Sequence, residues 1–354
     1  MTSHVLRADR RHGALHLLFL SVDVMLGAAP SLGAGPGPGP GASPGSGPGP
    51  GALAGPSLDL RGALAELLPY LAEPTLRELA IGTRSQHHGA YQRFIDVLIE
   101  QAPPALARLA LGDFLYPDKR GTYAADDPDR DGVSWISQLG DVTPLFQRLP
   151  ALRELVLCGD ELHLDPSVNA PGLRSLALRC TALQPQVVAA LGMAQLPHLE
   201  QLELWLGDYA YQHDGSVADV LPLLSGAGLP ALRRLRVLCD VADELVEALS
   251  ESPLLRRLRT LDLYCSTLSD TGAQTLIDRH AAFAHLEQID LTNNGLSRDA
   301  ARALHTVLPR VHVGIQRHDG SVVLTAPAPT ALLPALRRFL PTSDDPKEPT
   351  GAGD

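Results

Sequence analysis

Residues 286–296 read LEQIDLTNNGL, and this stretch does most to narrow what the chain can fold into. Leu286, Ile289, Leu291 and Leu296 stand at window positions 1, 4, 6 and 11, with Asn294 at position 9. The middle of the window alternates apolar and polar residues, the pattern of a short strand with one face buried. An Asn just beyond such a strand suits a bend, because its amide can satisfy backbone groups that the bend leaves unpaired. One unit of this kind cannot hide its own apolar stripe. It needs neighbours built the same way.

The spacing L-x-x-L-x-L-x-x-N-x-L is the leucine-rich-repeat signature, and further copies follow from it. They open at Leu76, Leu106, Leu152, Leu173, Leu199, Leu232, Leu258 and Leu286, with a degenerate copy at Leu308. The typical unit is about 26–28 residues, long enough for a strand and a full helix. Apolar spacing of three and four predicts helices at 62–73, 91–102, 184–195, 241–251, 269–282 and 297–307. Ser269 and Ser297 suit helix caps and Pro185 a first helical turn. The fold class is therefore α/β: a right-handed leucine-rich-repeat solenoid, a horseshoe with a parallel sheet on its concave face and helices on its convex face. A charged residue at Leu202 or Leu261 would be severe, since each buried Leu contributes roughly 1.5–3 kcal/mol.

Residues 58–325 make up the repeat domain of about nine units, opened by a cap at 58–75. Residues 326–341 read as a C-terminal capping helix and 342–354 as a disordered acidic tail. Residues 1–57 read as lying outside the folded body. Arg7, Arg10 and Arg11 precede an apolar run from Ala14 to Leu26, the outline of a secretory signal, although His16 and Asp23 interrupt it. A disordered leader and an overextended start, with Met25 as an internal alternative, are the other readings. From 33 to 55 the chain is nearly all Gly, Pro, Ala and Ser, the composition of a flexible tether.

A net charge of −11 and a pI near 5.6 argue against a nucleic-acid or anionic-membrane partner, which calls for clustered Lys and Arg. No apolar run reaches membrane-spanning length. The four Cys, at 158, 180, 239 and 265, include no C-x-x-C pair, so zinc and a disulfide-dense scaffold are disfavoured. Cys239 and Cys265 sit in neighbouring repeats within possible disulfide reach, but buried free thiols are the default reading. Asp127, Asp129, Asp131 and Gly132 imitate the front of a calcium loop. Its twelfth position is Gln138 instead of a bidentate Glu, and a solvated acidic loop fits better. No local motif of a nucleophile, a metal-dependent hydrolase or a phosphate-binding loop occurs. A non-enzyme with no cofactor and no metal is expected.

The segments VSWISQ (133–138), DVTPL (141–145), LEQLELWLG (199–207) and TLSDTGA (267–273) carry a resemblance over about residues 74–315. The chain resembles a bacterial family of uncharacterised leucine-rich-repeat proteins, related in its helix-containing architecture to ribonuclease inhibitor. That resemblance implies a cytoplasmic, non-catalytic recognition scaffold.

Repeat positions 3, 5 and 7 flank the buried leucines and line the concave face. Its centre carries Trp205 and Tyr264 with Arg179, Glu203, Arg236, Asp262 and Asp290, aromatic anchors ringed by charge as at protein interfaces. Insertions at 112–141 and 207–215 bring Trp135, Tyr209 and Tyr211 as loop aromatics. The competing reading has Trp205 tucked under the second loop for packing. The expected function is a scaffold gripping another protein of unknown identity. A regulator that inhibits or activates a partner enzyme is the alternative, and an exported repeat effector a third.

Overall fold

The computed structural model describes residues 2–11, 14–24, 60–83, 91–112, 138–180, 182–207 and 216–317. Its elements in chain order are β1 (Thr2–Arg11), β2 (Ala14–Val24), α1 (Leu60–Leu71), β3 (Glu78–Thr83), α2 (Gln92–Gln101) and β4 (Arg108–Gly112). Next come β5 (Gln138–Asp141), α3 (Thr143–Arg148), β6 (Glu154–Cys158), β7 (Asp160–His163), β8 (Ser175–Arg179) and α4 (Pro185–Met193). Then β9 (Gln201–Gly207), α5 (Val217–Leu224), β10 (Arg234–Cys239), α6 (Ala242–Glu251) and β11 (Thr260–Asp262) follow. The described chain closes with α7 (Asp270–Asp278), α8 (His280–Phe283), β12 (Gln288–Asp290), α9 (Arg298–Val307) and β13 (Val311–His312).

Every repeat start read from the sequence leads into a strand of one 11-stranded sheet, ordered β1-β2-β3-β4-β6-β8-β9-β10-β11-β12-β13. From β2 onward each neighbour is parallel. Register is set by leucine. Leu79, Leu109, Leu155, Leu176, Leu202, Leu235, Leu261, Ile289 and Val311 lie in one pairing row, all buried. Two residues on, Ile81, Leu111, Leu157, Leu178 and Leu204 form a second buried row. The period-2 alternation of a strand sends both rows to the face covered by the helices. A shift of one residue would turn every leucine to the other face, so the register has no close competitor.

Asn294 fulfils the part assigned to it. It is fully buried; its Oδ1 accepts from Leu268 N at 2.9 Å, and its Nδ2 donates to Leu263 O at 2.8 Å and Leu291 O at 3.0 Å. Position 9 does similar work elsewhere with other side chains. Ser266 bonds Cys239 N and Val237 O, both at 3.1 Å, and Gln316 donates to Leu291 O at 2.9 Å. In the last two full repeats the bend after the strand is left-handed at position 8, with Cys265 at φ 62° and Asn293 at φ 61°.

The six expected helices are present with ends shifted by a residue or two; the last-but-one is split into α7 and α8. Ser269 caps α7 by accepting from Thr271 N at 3.0 Å, and Ser297 caps α9 by accepting from Ala300 N at 3.1 Å. Two short helices, α3 and α5, were not anticipated. The second opens on a capping box in which Asp219 accepts from Ser216 N at 2.7 Å, a signal present in the sequence SVAD. A small parallel pair, β5 with β7, also went unforeseen.

The amino-terminal expectation needs correction. Residues 2–11 and 14–24 are not outside the body; they form an antiparallel hairpin whose second strand pairs in parallel with β3. Leu18 extends the leucine row through its pairing with Leu79, and Leu15 and Leu18 are fully buried. Arg10 on β1 forms a two-pronged ion pair with Glu73, at 2.6 and 2.9 Å. A short apolar run reads equally well as the core of a signal or as a buried strand. Here the uncovered end of the first repeat supplies the partner that makes it a strand. Residues 25–59, the proposed helix at 326–341, the tail at 342–354 and Asp127, Asp129 and Asp131 lie outside the described residues. Among the described residues no helix is long and apolar enough to cross a membrane.

Candidate functional site

The sheet face turned away from the helices carries repeat positions 3, 5 and 7, and its character changes along the chain. Toward the amino terminus position 5 is small and apolar: Ala80, Ala110, Val156 and Ala177 stand in register and are buried. From β9 onward the same row becomes Glu203, Arg236, Asp262, Asp290 and His312. Neighbouring side chains on a sheet face are close enough to interact directly, so this row forms a ladder of charge.

Most of its members are paired. Arg179 Nε donates to Glu203 Oε1 at 2.9 Å, and Arg236 reaches Glu203 Oε2 at 3.7 Å. Arg236 Nε also donates to Asp262 Oδ2 at 2.7 Å, with a second guanidinium nitrogen on the same carboxylate. Asp262 and Asp290 each brace their own bends, accepting from Tyr264 N and Thr292 N at 2.9 Å. Burial raises the Asp262 carboxyl above the usual carboxylate range, and Asp290 beside it adds to that rise; Arg236 and the Tyr264 N–H act the other way.

The loop under which Trp205 was expected to tuck lies outside the described residues, but the side chain is held from several sides. It is buried, its Nε1 donates to Glu203 Oε1 at 2.9 Å, and the Arg179 guanidinium lies over its ring at 5.2 Å. It packs with Leu238, Cys265 and the half-buried Tyr264. Seven residues expected at the centre of the face, Arg179, Glu203, Trp205, Arg236, Asp262, Tyr264 and Asp290, are thus gathered on adjacent strands. The indole, however, is buried, and Tyr264 beside it is the more open of the two. Trp135, Tyr209 and Tyr211 lie outside the described residues.

A groove of about 800 Å³ runs across β8 to β12 beside this ladder. Position 3 supplies its floor with Ser175, Gln201, Arg234, Thr260 and Gln288, in register on five neighbouring strands. The sequence places these residues on the face, but nothing in it separates them from the charged row alongside. Their distinction is that they lack side-chain partners among the described residues, and only tertiary structure reveals that. Toward the amino terminus the same row is self-paired: Arg108 bonds the buried Glu78 and lies 3.9 Å from Glu154. Burial raises the Glu154 carboxyl, against the opposing pull of Arg108.

All four cysteines are buried free thiols. Burial pushes Cys239 up to about 12 and Cys180 well above the usual thiol value, so both are held in the unreactive protonated form. Among the described residues no group of three or more His, Cys, Asp or Glu side chains could hold a metal ion.

No family model matches the sequence, and no curated protein matches it. A crystal structure of a protein from Bacteroides fragilis is similar at 26% identity and a TM-score of 0.62, over 76% of this chain and 73% of that one. The TLR13–ssRNA13 complex matches at 16% identity and a TM-score of 0.38, over 73% of this chain and 34% of the other. The Bacteroides likeness shows a fold shared with that protein; the repeat itself is shown by the register, in which one leucine row passes through the parallel strands.

Proposed function

We propose that this chain is a non-catalytic scaffold that binds another protein through the helix-free face of its sheet. The observation that carries this reading is the groove over β8 to β12, whose floor and walls are side chains fixed on paired strands. Side chains held on such a frame lose little freedom on binding, so more of the contact energy appears as affinity. The carboxylates that could serve as acid or base, Glu203 and Asp262, are engaged by Arg179 and Arg236, which supports recognition over chemistry.

The same reading makes the solenoid right-handed, since parallel strands joined by a crossover take that hand almost without exception, with the groove on the concave side. It keeps the kinship with the ribonuclease-inhibitor-like bacterial repeat family. It places the chain in the cytoplasm, where four buried thiols stay reduced.

A photo-crosslinking amino acid tests the face directly. Placed at Tyr264 in lysate of the source cell, it should capture a discrete protein; placed at the exposed Glu247 on α6, it should not. Equal capture from both positions, or capture only from Glu247, would refute the face as the binding surface.

A further inference from the structure

We infer that the groove over β8 to β12 takes an extended, acidic peptide segment of its partner, anchored by a carboxylate on Arg234. This rests on the scaffold reading above and adds the chemistry of what is bound.

The argument begins with hydrogen-bonding capacity. Ser175, Gln201, Arg234, Thr260 and Gln288 form one row across five strands, and among the described residues none of their side chains has a hydrogen bond or ion pair. The rows on either side are occupied. Position 5 is tied up by the Glu203–Arg236–Asp262 ladder, and position 2 by Arg174 with Glu200 and Arg259 with Glu287. A polar row left idle between two satisfied ones has its donors and acceptors free for a ligand.

The identity of the idle groups narrows the ligand. Gln201 and Gln288 each present both a donor and an acceptor, as do the hydroxyls of Ser175 and Thr260. That combination matches the alternating N–H and C=O of an extended main chain. A helix, whose main-chain groups bond internally, cannot use it. At about 4.8 Å per strand, the five-strand row spans roughly 19 Å, the reach of about six residues of extended chain.

Charge fixes the remaining specificity. The groove's acids, Glu200, Glu203, Asp262 and Glu287, each face a guanidinium. Of its bases, Arg233 is turned to the carbonyls of Pro230 and Leu232, at 3.3 and 2.9 Å. Among the described residues Arg234 is the groove's cation left over, exposed at the centre of the row between Gln201 and Thr260. Its planar fork suits a carboxylate held by two parallel bonds. A nucleic acid fits poorly, because a phosphate chain wants several free cations and would run against the flanking acids.

The test uses the full chain as bait for a phage-displayed library of random peptides. Selected peptides are resynthesised with each Asp or Glu replaced by its amide, and binding is read by fluorescence anisotropy for wild type and Arg234→Gln. Selected sequences should carry an acid, and its amide should bind wild type about tenfold more weakly, some 1.4 kcal/mol. Arg234→Gln should bind acid and amide alike while keeping the wild-type melting temperature. Gln288→Ala should weaken both peptides equally.

Peptides without acids, an acid preference that survives Arg234→Gln, or no retained peptide would overturn the inference. So would tighter binding of a single-stranded RNA oligonucleotide at the same site. None of these results touches the crosslinking test, which judges the face itself.

Discussion

Asn294 shows how much one side chain can hold. Its amide serves the Leu268 N–H and the carbonyls of Leu263 and Leu291, all without access to water. Asn294→Ala should cost about 2 kcal/mol or more, because orphaned buried groups carry their full desolvation penalty. Urea unfolding measures this, and a loss below about 0.5 kcal/mol would show that the bend is held by other means. Asp262 gives a prediction of unusual sign. Its folded pKa lies above the unfolded value, so the native state holds that proton more tightly. Its contribution to stability therefore grows as pH falls from neutral toward about 4 and is least when the group is fully ionised. In Asp262→Asn this component is gone. The stability difference, wild type minus variant, should rise on acidification through that window; a flat or falling difference contradicts the assignment.

Among the elements, the β1–β2 hairpin has the clearest consequence. It buries Leu15 and Leu18 against the first repeat and is latched by Arg10 to Glu73. Deleting residues 2–24 would expose that end of the sheet and remove about 3–6 kcal/mol from those two leucines alone. Thermal melting should shift well downward, with self-association through the bared β3 edge visible by light scattering. An unchanged melting curve would show that the hairpin is an accessory and not a cap. The strand–helix units behave otherwise, since their ends are marked locally by Ser269, Ser297 and the Ser216–Asp219 box. Those marks are legible in the sequence, the S-x-x-D of the capping box among them. The hairpin carried no such mark, because an apolar run says nothing of which edge it will pair with.

For the molecule as a whole, the relevant fact is that one leucine row passes through every repeat. Leu202 lies between Leu176 and Leu235 on the adjacent strands. Leu202→Asp should therefore lower stability by several kcal/mol and loosen both neighbouring repeats. Hydrogen exchange followed by repeat should show protection lost first in β8, β9 and β10. Protection lost only within β9 would mean that the repeats are less coupled than a shared core requires.

The leucine spacing alone determined the repeat, the strands, the buried rows and the positions facing outward, because alternation along a strand is a local property that packing merely obeys. It placed Glu203, Trp205, Arg236, Asp262, Tyr264 and Asp290 on one face for the same reason. Which of those side chains engage one another was decided by tertiary structure. Glu203 lies between Arg179 and Arg236 and receives the Trp205 N–H only because three strands from different repeats meet in register. The idle row through Arg234 has the same origin, since whether a polar group is satisfied depends on neighbours that chain order keeps some twenty or more residues away.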